Sequence, residues 1–316
     1  MNRTPDIQSI VSAHERIAPF IHRTSILCAE SIHEITGTKV YFKCENFQKV
    51  GAFKARGGMN AVLSLTPDEK ENGVATHSSG NHAQAVALAA RKNGIKAYIV
   101  MPSNSADVKK KAVKGYGAEL IECEPTLQAR EQTLDQVIQK TGATMIHPYN
   151  EYKIIEGQAT AAKELIEDAS VQLDYILTPV GGGGLLSGTA LATHYLSPNS
   201  KVIGCEPAGA DDAYRSFKSG ILVPQRNPNT IADGLRTSLG EKPFKLIKQH
   251  VEDIILADDD EIIAAMRLIW ERMKIIVETS AAVPLAALIR NKEKFAGKNI
   301  GIILSGGNVD VKSLPF

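Results

Sequence analysis

Four consecutive glycines, Gly181 to Gly184, stand between the apolar run DYILTPV (174–180) and an alanine- and leucine-rich stretch that begins at Leu185. A strand that passes through side-chain-free backbone straight into a helix can converge several amide N–H groups on one anion, and the helix dipole adds to their pull. The segment PVGGGGLLSG therefore reads as a phosphate cup in a chain that alternates strand and helix. It is not a Walker loop, because Gly188 is followed by Thr189 in place of lysine. Nor is it a dinucleotide fingerprint, because Ser187 stands where the last glycine belongs.

The same alternation runs along the chain. Short β-rich runs occur at VATH (74–77), KAYIVM (96–101), AELIEC (118–123), ATMIH (143–147), KVIGCE (201–206) and NIGIILS (299–305). Helical patterns lie between them: NHAQAVALAARKNG has an alanine-rich face and stops at Gly94, and Asp258 with Glu261 forms a capping box for a helix to about Lys274. This order predicts βαβ units and an α/β fold with parallel sheets covered on both faces. With 316 residues the chain can build two lobes, each with its own core. No repeat, low-complexity tract or long linker marks where one lobe gives way to the other.

Charge narrows the ligand. Thirty-six basic side chains against 35 acidic ones leave a net charge of +1, which predicts no nucleic-acid or anionic-membrane partner and favours a small molecule. Cys28, Cys44, Cys123 and Cys205 are scattered without a C-x-x-C pair, so they are expected as reduced, buried thiols and not as a disulfide framework or zinc site. The segment MNRTPDIQ lacks the apolar core of a signal peptide and no later run reaches membrane-spanning length, so a cytoplasmic protein is expected.

Three further features carry chemistry. In KVGAFKARGG (49–58), Lys54 sits among small and apolar neighbours, where an ammonium gains little from its surroundings. THSSGNHAQA (76–85) gathers hydroxyls, an amide, an imidazole and helix N–H groups between a strand and a helix, which suits a carboxylate. LSGGNVD (304–310) closes an apolar strand with a hydroxyl and two glycines, at the strand end where open α/β sheets bind ligands.

The set FQKVGAFKARG, SSGNHAQA, VGGGGLLSG and LSGGNVD, in that order, resembles the fold-type II (tryptophan synthase β-like) pyridoxal-phosphate enzymes, within the serine racemase and serine/threonine dehydratase group. GYGAELIECEP, ADDAYRS, TIADG and WERMK extend the resemblance over nearly the whole chain. It implies two parallel-sheet domains with the cofactor in the cleft: a large one from about 1–66 and 151–316, and a small mobile one from about 67–150. A homodimer is also implied.

By this resemblance Lys54 holds pyridoxal 5'-phosphate covalently, since desolvation favours a free amine that can attack an aldehyde and later move protons at Cα. Gly181, Gly182, Gly183 and Gly184 would hold the phosphate, Asn81 the 3-oxygen and Ser305 the pyridine nitrogen, with Phe53 stacked on the ring. A hydroxyl at Ser305 leaves that nitrogen unprotonated and mutes carbanion stabilisation, which suits racemisation and β-elimination better than transamination. Ser78, Asn81 and His82 would take the substrate carboxylate. Ser79 would be the second base, on the face opposite Lys54. Simple threonine dehydratases typically carry alanine there, while some hydroxyaspartate dehydratases also carry serine.

CEPAGADDAY is similar to a divalent-cation site of the group, with Glu206 and Asp212 giving carboxylates and Ala210 its carbonyl, a ligand set for Mg²⁺, Ca²⁺ or Mn²⁺. Lys49, Gln84, Tyr116, Lys274 and Asn308 match positions that line an activating ATP site in relatives. Ala29, Glu30 and Val50 depart from that pattern and predict a weakened response. The activity implied is interconversion of L- and D-serine, with loss of water from serine to pyruvate and ammonia. The alternatives are a dehydratase for threonine, serine or L-threo-3-hydroxyaspartate, or a catalytically silent ligand sensor. PYNEYK after His147 lacks the serine-rich loop of the aspartate racemases, which disfavours that activity.

Overall fold

A computed structural model describes residues 3–105 and 107–316. Among the described residues ten strands form two sheets: β1 (Ile26–Leu27), β2 (Lys39–Cys44), β3 (Val74–His77), β4 (Ala97–Pro102), β5 (Glu119–Cys123), β6 (Thr144–Met145), β7 (Tyr175–Pro179), β8 (Lys201–Pro207), β9 (Asp253–Ala257) and β10 (Asn299–Leu304). The larger sheet has the order β1-β2-β10-β7-β8-β9 and the smaller β5-β4-β3-β6. Every pairing is parallel except that of β1 with β2.

Successive residues of one strand feed opposite cores, as the two-residue period of a strand requires. Leu177 and Ile302 enter the core beneath the helices Asp259–Met273 and Thr279–Arg290, whereas Ile176 and Ile303 enter the one beneath Tyr152–Asp168 and Gly184–Leu196. Both faces of the large sheet are thereby dry, which explains its near-continuous apolar strands. In the small sheet Val74, Ile99 and Met101 pack on the alanine face of the Asn81–Lys92 helix, and Ala75 and Val100 pack on Leu134 of the Leu127–Thr141 helix.

Several elements differ from expectation. ATMIH contributes only Thr144 and Met145 to a strand, and the sheets contain β1, β2 and β9, which the sequence pattern had not singled out. The sequence of β2, KVYFKC, is interrupted by lysines, yet Lys43 is fully buried because Glu164 takes its ammonium at 2.7 Å. All four cysteines are free, but only Cys44 and Cys205 are buried. Cys28, just past the two-residue edge strand β1, is exposed, and Cys123 is half-buried. The capping box of Asp258 and Glu261 opens the Asp259–Met273 helix as expected. Among the described residues no helix is long and apolar enough to cross a membrane.

Candidate active site

The ends of strands from both sheets open on one cavity of about 830 Å³. Lys54 is the first residue of the helix Lys54–Leu63, and the backbone just ahead of it is tied to the end of β10: Phe53 N–H donates to the Ser305 carbonyl at 3.0 Å. That link fixes Lys54 and Ser305 against each other. The Lys54 amine donates to the Pro148 carbonyl at 2.9 Å and lies 5.2 Å from the centre of the Phe53 ring. Burial lowers its pKa to about 8, against the opposing pull of Glu278.

The glycine cup faces the same cavity. Gly183 has φ +88°, a left-handed turn that a side chain would strain, and a Cβ on Gly182 would lie 2.2 Å from the Tyr149 ring. Among the described residues no acceptor within the chain takes the amides of Gly181 to Leu185. Unspent donors at a helix start, with no room for side chains, form a cradle that fits a phosphate.

The loop after β3 supplies the third wall. Ser78, Ser79, Asn81 and His82 all line the cavity. Asn81 Nδ2 donates to both oxygens of Glu278, at 3.1 and 3.2 Å, and its Oδ1 accepts from Asn308 Nδ2 at 2.9 Å. His82 turns inward: Nε2 meets the Ile146 carbonyl at 3.0 Å, and Nδ1 is buried with no partner among the described residues. Burial first, then the Lys54 charge, hold the ring well below its usual pKa and so neutral. A neutral ring that donates from Nε2 has only an acceptor left at Nδ1, so any carboxylate contact from His82 comes through its backbone N–H.

Glu206 and Asp212 lie outside this cavity, both fully buried. The Glu206 carboxylate accepts from the amides of Ala213 and Tyr214 at 2.9 and 2.7 Å, and Asp212 Oδ2 accepts from Leu239 N–H at 2.7 Å. Asp212 Oδ1 is buried and has no partner among the described residues. Burial raises the Asp212 pKa to about 6, and burial with the Asp212 charge raises Glu206 well above the carboxylate range. Two buried carboxylates and an orphaned oxygen fit a divalent cation. Among the described residues no cluster of three or more His, Cys, Asp or Glu is placed for a metal, so Ala210 O and water would have to complete the shell.

Of the candidate nucleotide contacts, Asn308 lines the cavity and also donates to Val50 O at 2.7 Å. Lys49 and Lys274 are exposed, Tyr116 is half-buried and Gln84 is buried. Among the described residues no hydrogen bond or ion pair joins those four to one another.

Sequence reasoning missed several lining residues, among them Tyr149, Glu278, Arg130 and His147. Glu278 is the clearest loss. It precedes the apolar helix Thr279–Arg290, is almost fully buried, and has its pKa raised to about 7 by burial. An acid at the mouth of an apolar helix was the available signal.

Residues 17–306 match the family model described as "Pyridoxal-phosphate dependent enzyme". The chain is 47% identical over 312 residues to the β-hydroxyaspartate dehydratase of Paracoccus denitrificans, covering 99% of each. It is 48% identical over 315 residues to the serine racemase of Dictyostelium discoideum, covering 98% of this chain and 97% of that one. The crystal structure of the Dictyostelium serine racemase superposes with a TM-score of 0.94, covering 98% of this chain and 100% of that one. The lysine of lowered pKa, tied to the strand end that carries Ser305, and the unspent glycine cradle face one cavity, and with these matches the chain belongs to the pyridoxal-phosphate dependent enzyme family, with the fold-type II architecture.

Proposed function

We propose that this chain interconverts L- and D-serine and also removes water from serine to give pyruvate and ammonia. The carrying observation is that Lys54, from the large-sheet side, and Ser79, from the loop after β3 of the small sheet, line one cavity. Bound pyridoxal phosphate supplies a conjugated electron sink that lowers the cost of removing an amino-acid Cα proton. In this reading Lys54 holds the cofactor and moves the Cα proton on one face, and Ser79 moves it on the other. The amides of Gly181 to Gly184 take the phosphate, Asn81 and Ser305 hold the ring, and Phe53 packs on its face. The loop from Ser78 to His82 binds the substrate carboxylate through N–H groups at its helix start.

Residues 67–150 would move as a small domain against 1–66 and 151–316, closing the cavity on substrate. The Lys109–Asp233 ion pair, 3.3 Å across the cavity rim, supports such a closure. We also place a divalent cation at Glu206, Ala210 O and Asp212, read the enzyme as a cytoplasmic homodimer, and assign Lys49, Gln84, Tyr116, Lys274 and Asn308 to a weakly responding ATP site.

A second reading, dehydration of 3-hydroxyaspartate, is favoured by Arg130 in the cavity lining, since a guanidinium can pair with a second carboxylate. Incubation with L-serine, D-serine, L-threonine and L-threo-3-hydroxyaspartate, followed by chiral chromatography and a keto-acid assay, decides between them. D-serine formation supports the first reading. Keto acid from hydroxyaspartate alone selects the second, and inertness toward all four with bound cofactor defeats both.

A further inference from the structure

The segment from Leu235 to Gly240 runs between the glycine cup and the buried acidic pair and touches both. On the cup side, Leu235 Cα stands 2.9 Å from where a Cβ on Gly181 would lie, and Leu239 Cδ1 stands 2.6 Å from that position on Gly183. Gly240 N–H donates to Gly182 O at 3.2 Å. On the acidic side, Leu239 N–H donates to Asp212 Oδ2 at 2.7 Å. Leu239 therefore presses its side chain on the cup while its backbone hangs from Asp212.

Asp212 is fully buried, and among the described residues its second oxygen has no partner. A buried acceptor left open is unfavourable, and a cation placed against it would satisfy it and hold the carboxylate still. Glu206 has no such reach: its two oxygens hold the amides of Ala213 and Tyr214 and make no bond to the Leu235–Gly240 segment.

We propose that Asp212 is a positioning residue for the cofactor phosphate: a divalent cation on its open oxygen fixes the carboxylate, the carboxylate fixes Leu239, and Leu239 fixes the cup. The inference rests on the cation reading given above and adds its consequence for the cofactor. Cation occupancy and retention of pyridoxal phosphate are then coupled, and by linkage each strengthens the other by the same factor. The effect belongs to the phosphate, because the segment packs on or bonds to Gly181, Gly182 and Gly183, whereas among the described residues it makes no hydrogen bond to Lys54.

The test starts from the holoenzyme. Mn²⁺ binding is followed by electron paramagnetic resonance, and cofactor dissociation by absorbance in excess Mg²⁺ or in EDTA. The apoenzyme is titrated in parallel with pyridoxal, which lacks the phosphate. In the wild type, replacing Mg²⁺ by EDTA is expected to weaken pyridoxal phosphate binding by about fivefold or more, within the usual range of such couplings, and to leave pyridoxal binding unchanged. Asp212→Asn keeps an acceptor for Leu239 but loses the ligand charge, so it should match the wild type in EDTA and ignore Mg²⁺. Asp212→Ala should bind more weakly still. Mn²⁺ binding without any change in cofactor affinity overturns the coupling and leaves the cation site standing. Equal effects on pyridoxal and its phosphate overturn the assignment to the cup. Absence of Mn²⁺ binding overturns the cation site and the coupling together. The decisive wild-type comparison needs no variant to fold.

Discussion

The Lys54 amine donates to the Pro148 carbonyl oxygen at 2.9 Å, so the reactive nitrogen rests on the turn that carries Tyr149 over the glycine cup. With burial holding its pKa near 8, the free amine is the minor form at pH 7 and the major form above 8. Capture of pyridoxal phosphate by apoenzyme should accelerate roughly tenfold per pH unit below 8 and level off above it. Lys54→Ala should lose the borohydride-reducible adduct and all turnover while keeping its circular dichroism. A normal adduct in that variant would show that another amine holds the cofactor.

Ser79 offers a hydroxyl from a different sheet than the one that positions Lys54. Elimination from L-serine needs a proton donor and acceptor on one face only, whereas racemisation needs both faces. Ser79→Ala should cut D-serine formation by about 100-fold or more, the usual worth of a positioned acid–base group, while pyruvate from L-serine persists. Pyruvate from D-serine should fall with racemisation. Equal loss of all four rates, read by chiral chromatography and a keto-acid assay, would make Ser79 a binding residue.

Two residues beyond Lys54, the buried Arg56 guanidinium forks between two buried carboxylates: Glu45, at 2.7 and 2.8 Å, and Glu164, at 2.8 and 2.7 Å. Lys43 also pairs with Glu164. Burial alone would raise the Glu164 pKa, but donors from His14 and Arg56 and the charge on Lys43 win and depress it. Its contribution to stability is therefore present above about pH 4.5 and lost as pH falls through the depressed folded value. Arg56→Met leaves buried charge unmatched and should cost about 3–5 kcal/mol. Its acid-unfolding midpoint should move to higher pH than that of the wild type. An unchanged denaturant midpoint would mean that the network contributes nothing net.

Glu278 behaves in the opposite sense. Burial raises its pKa to about 7, so the folded state holds this proton more tightly than the unfolded chain, and ionising it between about pH 4.5 and 7 removes stability. Relative to Glu278→Gln, the wild-type apoenzyme should lose melting temperature across that window and then run parallel above it. A constant difference between the two from pH 5 to 8 would refute the raised value.

The glycine turn after β7, the Lys54 niche, the Ser78–His82 loop and the Asp258 capping box are legible because each is set by local chemistry: glycines that admit close approach, a charge among apolar neighbours, a hydroxyl-rich helix start, an acid three residues from its cap. What escaped was set by distant partners. Lys43 reads as a solvent-facing residue until Glu164, 121 positions away, is brought beside it. Strand β2 is hidden for that reason, and nothing local marks Arg56 as buried. Tyr149 gave no signal, since its importance lies in where Gly182 leaves space. Cys28 was expected inside because thiols usually are, but the short edge strand leaves it out.

The helix Tyr152–Asp168 touches both the Lys54–Leu63 helix and the Gly184–Leu196 helix where side chains are missing. A Cβ on Gly157 would lie 2.6 Å from Gly57 Cα, and one on Gly188 would lie 2.7 Å from Ala159 N. Gly57 sits three residues past Lys54, and Gly188 four past the last glycine of the cup. The amine and the anion cradle are thus mounted on a common axle, with no side chain between to act as a cushion. Ser79 stands outside that mount, on the loop after β3 of the small sheet, so a change confined to that loop acts on neither of the two contacts.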